Sequence, residues 1–340
     1  MSDSGRYRPL EIPAGREQNG HKAPVGPENK ELLQYGGQAV IEGVMMRSPS
    51  KVAVAVRRPD GSLAFLDRPF QSVTARIKLL GLPVVRGAAS LFETMFLGIT
   101  ALNFSADEAA KDEAPKDGAK PSGGLGALTQ GLAVVVSLSL GLLLFVVLPA
   151  RLTSWLGFHS RVGFGLVDGA FRLIAFVLYL SLLSLWSDMR RVLGFHGAEH
   201  KAIHALEAGV PMTPENVQRF SRLHPRCGTS FLFLVVVISI IVFTFIGRPT
   251  NLAQHLLRIA CMPLIAGVAF EFIRLSGKYY TRPVVRALVW PGMQFQRLTT
   301  REPDLEMCAV AIAAIERVKD DPKVIEMQRA GGMKEMSFIQ

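Results

Sequence analysis

Cysteine is scarce. The 340 residues hold three, Cys227, Cys261 and Cys308, an odd number without framework spacing. That excludes a disulfide-stapled secreted scaffold and points to reduced thiols facing a cytosol-like compartment. Charge is missing over long stretches. No charged residue stands between Lys120 and Arg151, or from Gly228 to Gly247. A helix apolar on every side for about 20 residues needs lipid around it, or a core larger than this chain can build. The pair of soluble domains that length alone would permit is therefore set aside. An apolar leader is also lacking. The first thirty residues carry Asp3, Glu11 and Glu17 and no apolar run, so no cleavable signal peptide is expected. Finally, the formal net charge of +10 contains no Lys-rich arm with interleaved aromatics. It lies mostly beside the apolar blocks, where it encodes orientation, and no specific nucleic-acid partner is expected.

What remains is mainly α: a polytopic α-helical membrane protein of about four spans, with a small N-terminal β unit and a helical cytoplasmic connection. Residues 1–34 read as a disordered tail rich in Gly, Pro and charge. Within 35–70, short β-branched runs flank Pro59-Asp60-Gly61-Ser62, the signature of a small antiparallel unit. Residues 71–106 are apolar but carry Pro83, Arg86 and Glu93, which suggests interfacial or re-entrant helices, with a fifth span as the alternative. A linker covers 107–124, and a four-span domain covers 125–273. Its spans are expected near Leu125–Pro149, Phe164–Trp186, Gly228–Gly247 and Leu256–Ile273. A helical segment at 274–318 and a polar tail at 319–340 follow. In the former, Thr299 and Glu302 have capping-box spacing before Leu305, Ala309, Ile312 and Glu316, which sit at helical intervals.

The connection 187–227 holds Arg190, Arg191, Lys201, Arg219, Arg222 and Arg226, and Arg274, Lys278, Arg282 and Arg286 follow the last span. The opposite loops hold Arg151, Arg161 and Arg248. This asymmetry predicts a multi-pass plasma (inner) membrane protein with both termini and the 187–227 connection in the cytoplasm.

That connection carries the densest chemistry. In Phe195-His196-Gly197-Ala198-Glu199-His200-Lys201-Ala202-Ile203-His204, residues 196, 199, 200 and 204 share one face of a helix. Imidazoles one turn apart can direct nitrogens to one cation, and a glutamate between them can ligate or activate water. The H-x-x-E-H order is that of an inverted zinc-protease motif. Thr213-Pro214 is expected to start a short helix reaching Leu223, bringing His224 and Cys227 back to the same surface. Four of the seven histidines fall between residues 196 and 224. The candidate metal ligands are therefore His196, His200, His204, His224 and Cys227, with Glu199 as general base or further ligand and zinc as the expected ion. The competing reading of this His-rich face is structural, with imidazoles bonded to carbonyls and carboxylates. Softer candidates are Gln38, Glu42 and Arg47, which could bring a carboxylate to the site or form a salt-bridged β unit. Glu271 and Arg274 can pair at i, i+3, and Asp168 with Arg172 at i, i+4.

Gly36-Gly37-Gln38-Ala39-Val40-Ile41-Glu42-Gly43-Val44-Met45-Met46-Arg47, Phe195 to His204, and His224-Pro225-Arg226-Cys227-Gly228-Thr229-Ser230-Phe231 together resemble the bacterial YqhQ family. The resemblance runs from about Tyr35 to Val318. It implies a multispanning membrane protein labelled as a metal-dependent enzyme, and it carries no substrate.

Three functional readings follow. The first is a membrane-embedded, zinc hydrolase-like enzyme with its site on the cytoplasmic side. The second is a membrane adaptor whose basic surface binds a cytoplasmic protein partner, such as membrane-protein biogenesis or ribosome-associated machinery. The third is transport along Asp168, Arg172 and Glu271, which the lack of an inverted repeat disfavours.

Overall fold

The computed structural model describes residues 35–111, 123–158, 160–280 and 282–322. The expected disordered tail, most of the expected linker and nearly all of the polar C-terminal tail lie outside the described residues.

The N-terminal unit is an antiparallel meander in the order β1-β2-β3-β4: β1 Gly36–Val40, β2 Gly43–Arg47, β3 Lys51–Arg57 and β4 Leu63–Pro69. Asp60 shapes the β3–β4 turn by accepting the Ser62 N–H at 2.8 Å. Val54 stands opposite Met45 on one side and Leu66 on the other. Along β3 the side chains alternate between two apolar layers. Val52, Val54 and Val56 face one, and Ala53 and Ala55 face the other. Both faces are covered, so β3 reads as a continuous apolar run.

The helices are α1 Val73–Arg76, α2 Val85–Ala109, α3 Gly123–Leu142, α4 Leu148–Trp155, α5 Arg161–Leu185, α6 Ser187–Ala208, α7 Pro214–Gln218, α8 Gly228–Ile246, α9 Leu252–Ala260, α10 Met262–Lys278, α11 Pro283–Thr299 and α12 Leu305–Glu316. A π-helical segment, Leu143–Val147, joins α3 to α4. Among the described residues five helices, not four, are long and apolar enough to cross a membrane: Val85–Ala109, Gly131–Trp155, Arg161–Leu185, Gly228–Ile246 and Leu252–Gly277. α8 is the hub of the bundle, packed against α5, α10 and α11. Large apolar side chains such as Leu166, Leu182, Leu138 and Phe245 stay exposed on its outer surface, the pattern expected of a bundle surrounded by lipid.

The additional helix, α2, is divided in its packing. Its first turns lie against α10, where Gly87 meets Gly267 and Phe270. Its second half covers the sheet, with Ala101, Leu97 and Phe104 on Val40, Met45 and Val54. The polar residues that interrupt this block on paper are satisfied within it. Pro83 precedes the helix, Arg86 reaches Glu271 at 2.6 Å, and Glu93 accepts from Ser72 Oγ and Val73 N at 2.9 Å. Ser72 thus lies beside Glu93, and α1 and α2 pack against each other as a hairpin. Its outer face shows Leu79, Phe92 and Phe96.

On the other side of the sheet lie α6 and α12. Phe195, Ala198, Ala202 and Ala205 of α6 and Cys308, Ala311 and Ile315 of α12 close over Val44, Met46, Ala53 and Ala55. Two expectations change here. The N-cap of α12 is Asp304, whose Oδ1 accepts the Met307 N–H at 2.7 Å. Thr299 instead ends α11, and Glu302 pairs with Lys201. The buried stripe is Met307, Cys308, Val310, Ala311, Ala314 and Ile315 together with Ile312, while Leu305, Ala309 and Glu316 face outward. A helix wedged between a sheet, α6 and α7 buries most of its circumference, and spacing alone does not reveal which side is left out.

Candidate metal centre

α6 uses two faces. One, described above, seals the sheet. The other carries His196, His200 and His204 at successive turns, facing the returning chain 219–227 and the end of α11. Each imidazole gives one ring nitrogen to a main-chain carbonyl. His196 Nδ1 meets Thr299 O at 2.7 Å, His200 Nδ1 meets Arg222 O at 2.6 Å, and His204 Nε2 meets Leu223 O at 3.0 Å. A carbonyl can only accept, so these nitrogens carry the protons. The Nε2 lone pairs of His196 and His200 are then left as acceptors.

The segment that supplies two of these carbonyls is held in place by its own ends. α7 is capped by Thr213 Oγ1, which accepts the Asn216 N–H. It stops at Gln218, short of the expected Leu223, and residues 219–227 run on without regular structure. Cys227 is the N-cap of α8 and accepts from Thr229 N at 3.4 Å. Its sulfur is 3.3 Å from His196 Nε2.

The histidines therefore fall into two groups. His196, His200 and Cys227 place one donor atom each within 4.8 Å of one another, and so do His204, Glu207 and His224. The rings of His200 and His224 join the groups, with centroids 5.6 Å apart. In the first group, two imidazole nitrogens and a sulfur match the donor preference of zinc. The 3.3 Å S–N distance is close to the separation of about 3.5 Å that ligands on one tetrahedral zinc would take. Carbonyls behind both imidazoles are the outer-shell partners that ligating histidines use. The second group fits less well. His224 Nδ1 accepts from Arg226 N at 3.3 Å, and Glu207 is ion-paired to Arg226. This group is a partly buried polar network in which Arg226 already engages both His224 and Glu207.

Electrostatics distinguish the two groups. Burial, together with the nearby imidazoles, pushes His204 and His224 down to about 3, so both are neutral. Burial also opposes ionisation of the first pair, but mutual attraction overrides it. Cys227 is held well below the usual thiol range by His200 and His196, and His196 is raised to about 9 by the Cys227 sulfur. Each therefore favours the charged form of the other, and the sulfur and imidazole electron pairs suit a cation.

Glu199 is buried beside this group, and burial raises its carboxyl above the usual range while His200 and His196 pull it down. The nearby Gly37 backbone also pulls it down. A Cβ at Gly37 would lie 2.7 Å from the Glu199 side chain, so the β1 backbone passes where only glycine fits. Gly197 plays the same part on α6, because a Cβ there would meet Arg301 O at 2.1 Å. Glu42 is elsewhere. It pairs with Arg191 and Arg57 on the far side of the sheet turn. Gln38 abuts Gly98 of α2.

Sequence reasoning missed four supporting residues. Gln296 and Thr299, one turn apart on α11, fix His224 and His196. Glu207 joins His204 one turn further along α6, and Gly37 admits Glu199. Only Glu207 left a signal, as the next acid on the histidine face. An open cavity of about 460 Å³ is lined by Lys201, Arg219, Arg222, Arg297 and Glu302, and neither the histidines nor Cys227 reach its lining. Its wall includes Arg222 and Leu223, whose carbonyls orient His200 and His204.

A family model described as "Protein of unknown function (DUF1385)" matches residues 82–321. The "Uncharacterized protein YqhQ" of Bacillus subtilis (strain 168) is 34% identical over 287 residues, covering 82% of this chain and 90% of that protein. No solved structure matches. With its histidine face, its His-Pro-Arg-Cys return and most of its length inside these matches, the chain belongs to the YqhQ family, the family of unknown function DUF1385.

Proposed function

We propose that this protein is a multi-pass inner-membrane metalloenzyme, a zinc-dependent hydrolase whose site, His196, His200 and Cys227, faces the cytoplasm. One observation carries the reading. Both imidazoles spend their Nδ1 protons on main-chain carbonyls, which leaves two Nε2 lone pairs beside a buried sulfur. A zinc ion held there would supply Lewis acidity to a water nucleophile and a substrate carbonyl or phosphoryl oxygen. Glu199 is the proton acceptor beside it, and the lining of Lys201, Arg219, Arg222 and Arg297 favours an anionic substrate. Elemental analysis of the full chain purified in detergent tests the metal. About one zinc per chain is expected by the ligand count, with loss in a His196→Ala/His200→Ala double variant. A wild-type protein purified without metal, and unable to take up zinc, would end the metal reading.

The α1–α2 hairpin supports a re-entrant element and four crossings, with the sheet, α6 and α12 in one cytoplasmic layer and both termini on that side. The adaptor reading finds less support. Arg190 donates to Ser184 O, Arg191 pairs with Glu42, and Arg222 donates to Thr300 O. Three of the arginines that a partner would bind are thus engaged within the chain.

A further inference from the structure

At the end of the bundle remote from the histidines lies a second buried polar cluster. Asp168 of α5 receives Arg172 Nη2 at 3.0 Å and Arg258 Nη1 at 3.4 Å, both on Oδ2. Arg258 also donates to Gly247 O at 2.7 Å. The three side chains are 0–2% exposed. Phe243 stacks against both guanidiniums, 4.7 Å from Arg172 and 5.0 Å from Arg258. Phe243 is sixteen residues along from Cys227, so the two sites are about 24 Å apart on the axis of α8.

The cluster is incomplete in two ways. Asp168 Oδ1, Arg172 Nε and Arg258 Nε are buried without a hydrogen-bond partner. Its charge is also unbalanced, with two guanidiniums and one carboxylate. The sequence offers no second acid. From Pro121 to Trp186 the only acid is Asp168, and from Gly228 to Phe270 there is none, whereas these stretches hold Arg151, Arg161, Arg172, Arg248 and Arg258. Arg161 packs along Gly247, adding to the positive field. Water would meet the hydrogen-bond demand but leave the excess charge. In an apolar bundle an uncompensated guanidinium costs several kcal/mol. An anion balances the charge and accepts from the two Nε–H groups, whereas Asp168 Oδ1, itself an acceptor, needs a hydroxyl of the ligand or water.

We propose that Arg172 and Arg258, supported by Arg161, bind a phosphate-bearing anion at this end of the bundle, supplied by an anionic phospholipid headgroup or by free phosphate. Guanidinium groups match phosphate oxygens in geometry as well as charge. Nearby Trp155, Val162, Leu166 and Phe245 are exposed and offer a bed for acyl chains, which is the lipid's advantage.

The test uses the full chain in neutral detergent. Thermal unfolding and native mass spectrometry are compared with phosphatidylglycerol, phosphatidylcholine, inorganic phosphate or no addition. A higher midpoint with retained phosphatidylglycerol, and not phosphatidylcholine, identifies the lipid source. Stabilisation by inorganic phosphate alone identifies the free anion. Asp168→Asn removes the competing carboxylate and should tighten binding about tenfold, near the low end of close charge couplings, whereas Arg258→Gln should weaken it comparably. If neither phosphatidylglycerol nor phosphate changes the wild-type protein, the proposal is wrong. It is equally wrong if a folded Arg258→Gln protein binds as the wild type does. None of these readouts depends on zinc.

Discussion

The Gln296 side chain grips the backbone of His224 from both directions. Its Oε1 accepts the His224 N–H at 2.8 Å, and its Nε2 donates to the His224 carbonyl at 2.7 Å and to Ser230 Oγ at 2.8 Å. All of this is buried, so one amide on α11 fixes where the chain re-enters the site before Cys227. Gln296→Leu strands two main-chain groups, each worth about 1–3 kcal/mol when left unsatisfied. A clear fall in thermal midpoint is expected, with zinc affinity weakened about 10–100-fold as for other outer-shell losses. A normal midpoint and normal affinity would show that the clamp is dispensable.

Cys227 and Cys308 are both buried yet should react oppositely. Burial pushes the Cys308 thiol up to about 12, where its Sγ donates to Gln218 Oε1. At pH 8 it stays protonated and inert. Cys227, held as thiolate, should be alkylated once chelator has removed the metal. Mass spectrometry of modified peptides reads this directly, and chelator-independent labelling at Cys227 would remove it from the ligand set.

Glu199 separates catalysis from ligation. Glu199→Gln keeps the shape but cannot take a proton, so zinc should remain while complementation of a deletion strain is lost. His200→Ala should lose both. A Glu199→Gln protein that complements fully would sink the catalytic role.

Gly197→Ala tests the close approach of the 299–303 segment to α6. The new methyl would meet Arg301 O, so the segment must shift. Overpacking of this kind costs about 1–3 kcal/mol, and it would pull Thr299 O away from His196. Denaturant unfolding with a zinc titration should show loss of stability and of affinity together.

The hairpin makes a topological prediction. Reporters fused after residues 118, 205 and 300 should all read cytoplasmic, and those after 157 and 250 periplasmic. A periplasmic signal at 118 would mean that α2 crosses the bilayer.

By itself the sequence determined a mainly helical chain with long apolar helices, and which side chains share one helix face. Uncharged runs of this length have few structural outcomes, and His196, Glu199, His200 and His204 must share a helix face because the α-helical period is fixed by covalent geometry. What remained for tertiary structure were pairings between distant segments. Arg86 and Glu93 look prohibitive in an apolar block until Glu271 pairs with the one and the start of α1 donates hydrogen bonds to the other, which is why the apolar block containing α2 reads ambiguously. The apolar stripe of α12 could not be oriented without knowing that it is wedged between sheet, α6 and α7. His224, a ligand by residue type, turns out to be engaged with Arg226, while Gln296, an ordinary glutamine in sequence, holds it. Arg258, ninety residues on from Asp168, meets it only through the tertiary fold. Local periodicity is a property of the backbone, but hydrogen-bond and charge satisfaction depends on which groups the fold brings within about 3 Å, and that is settled by packing.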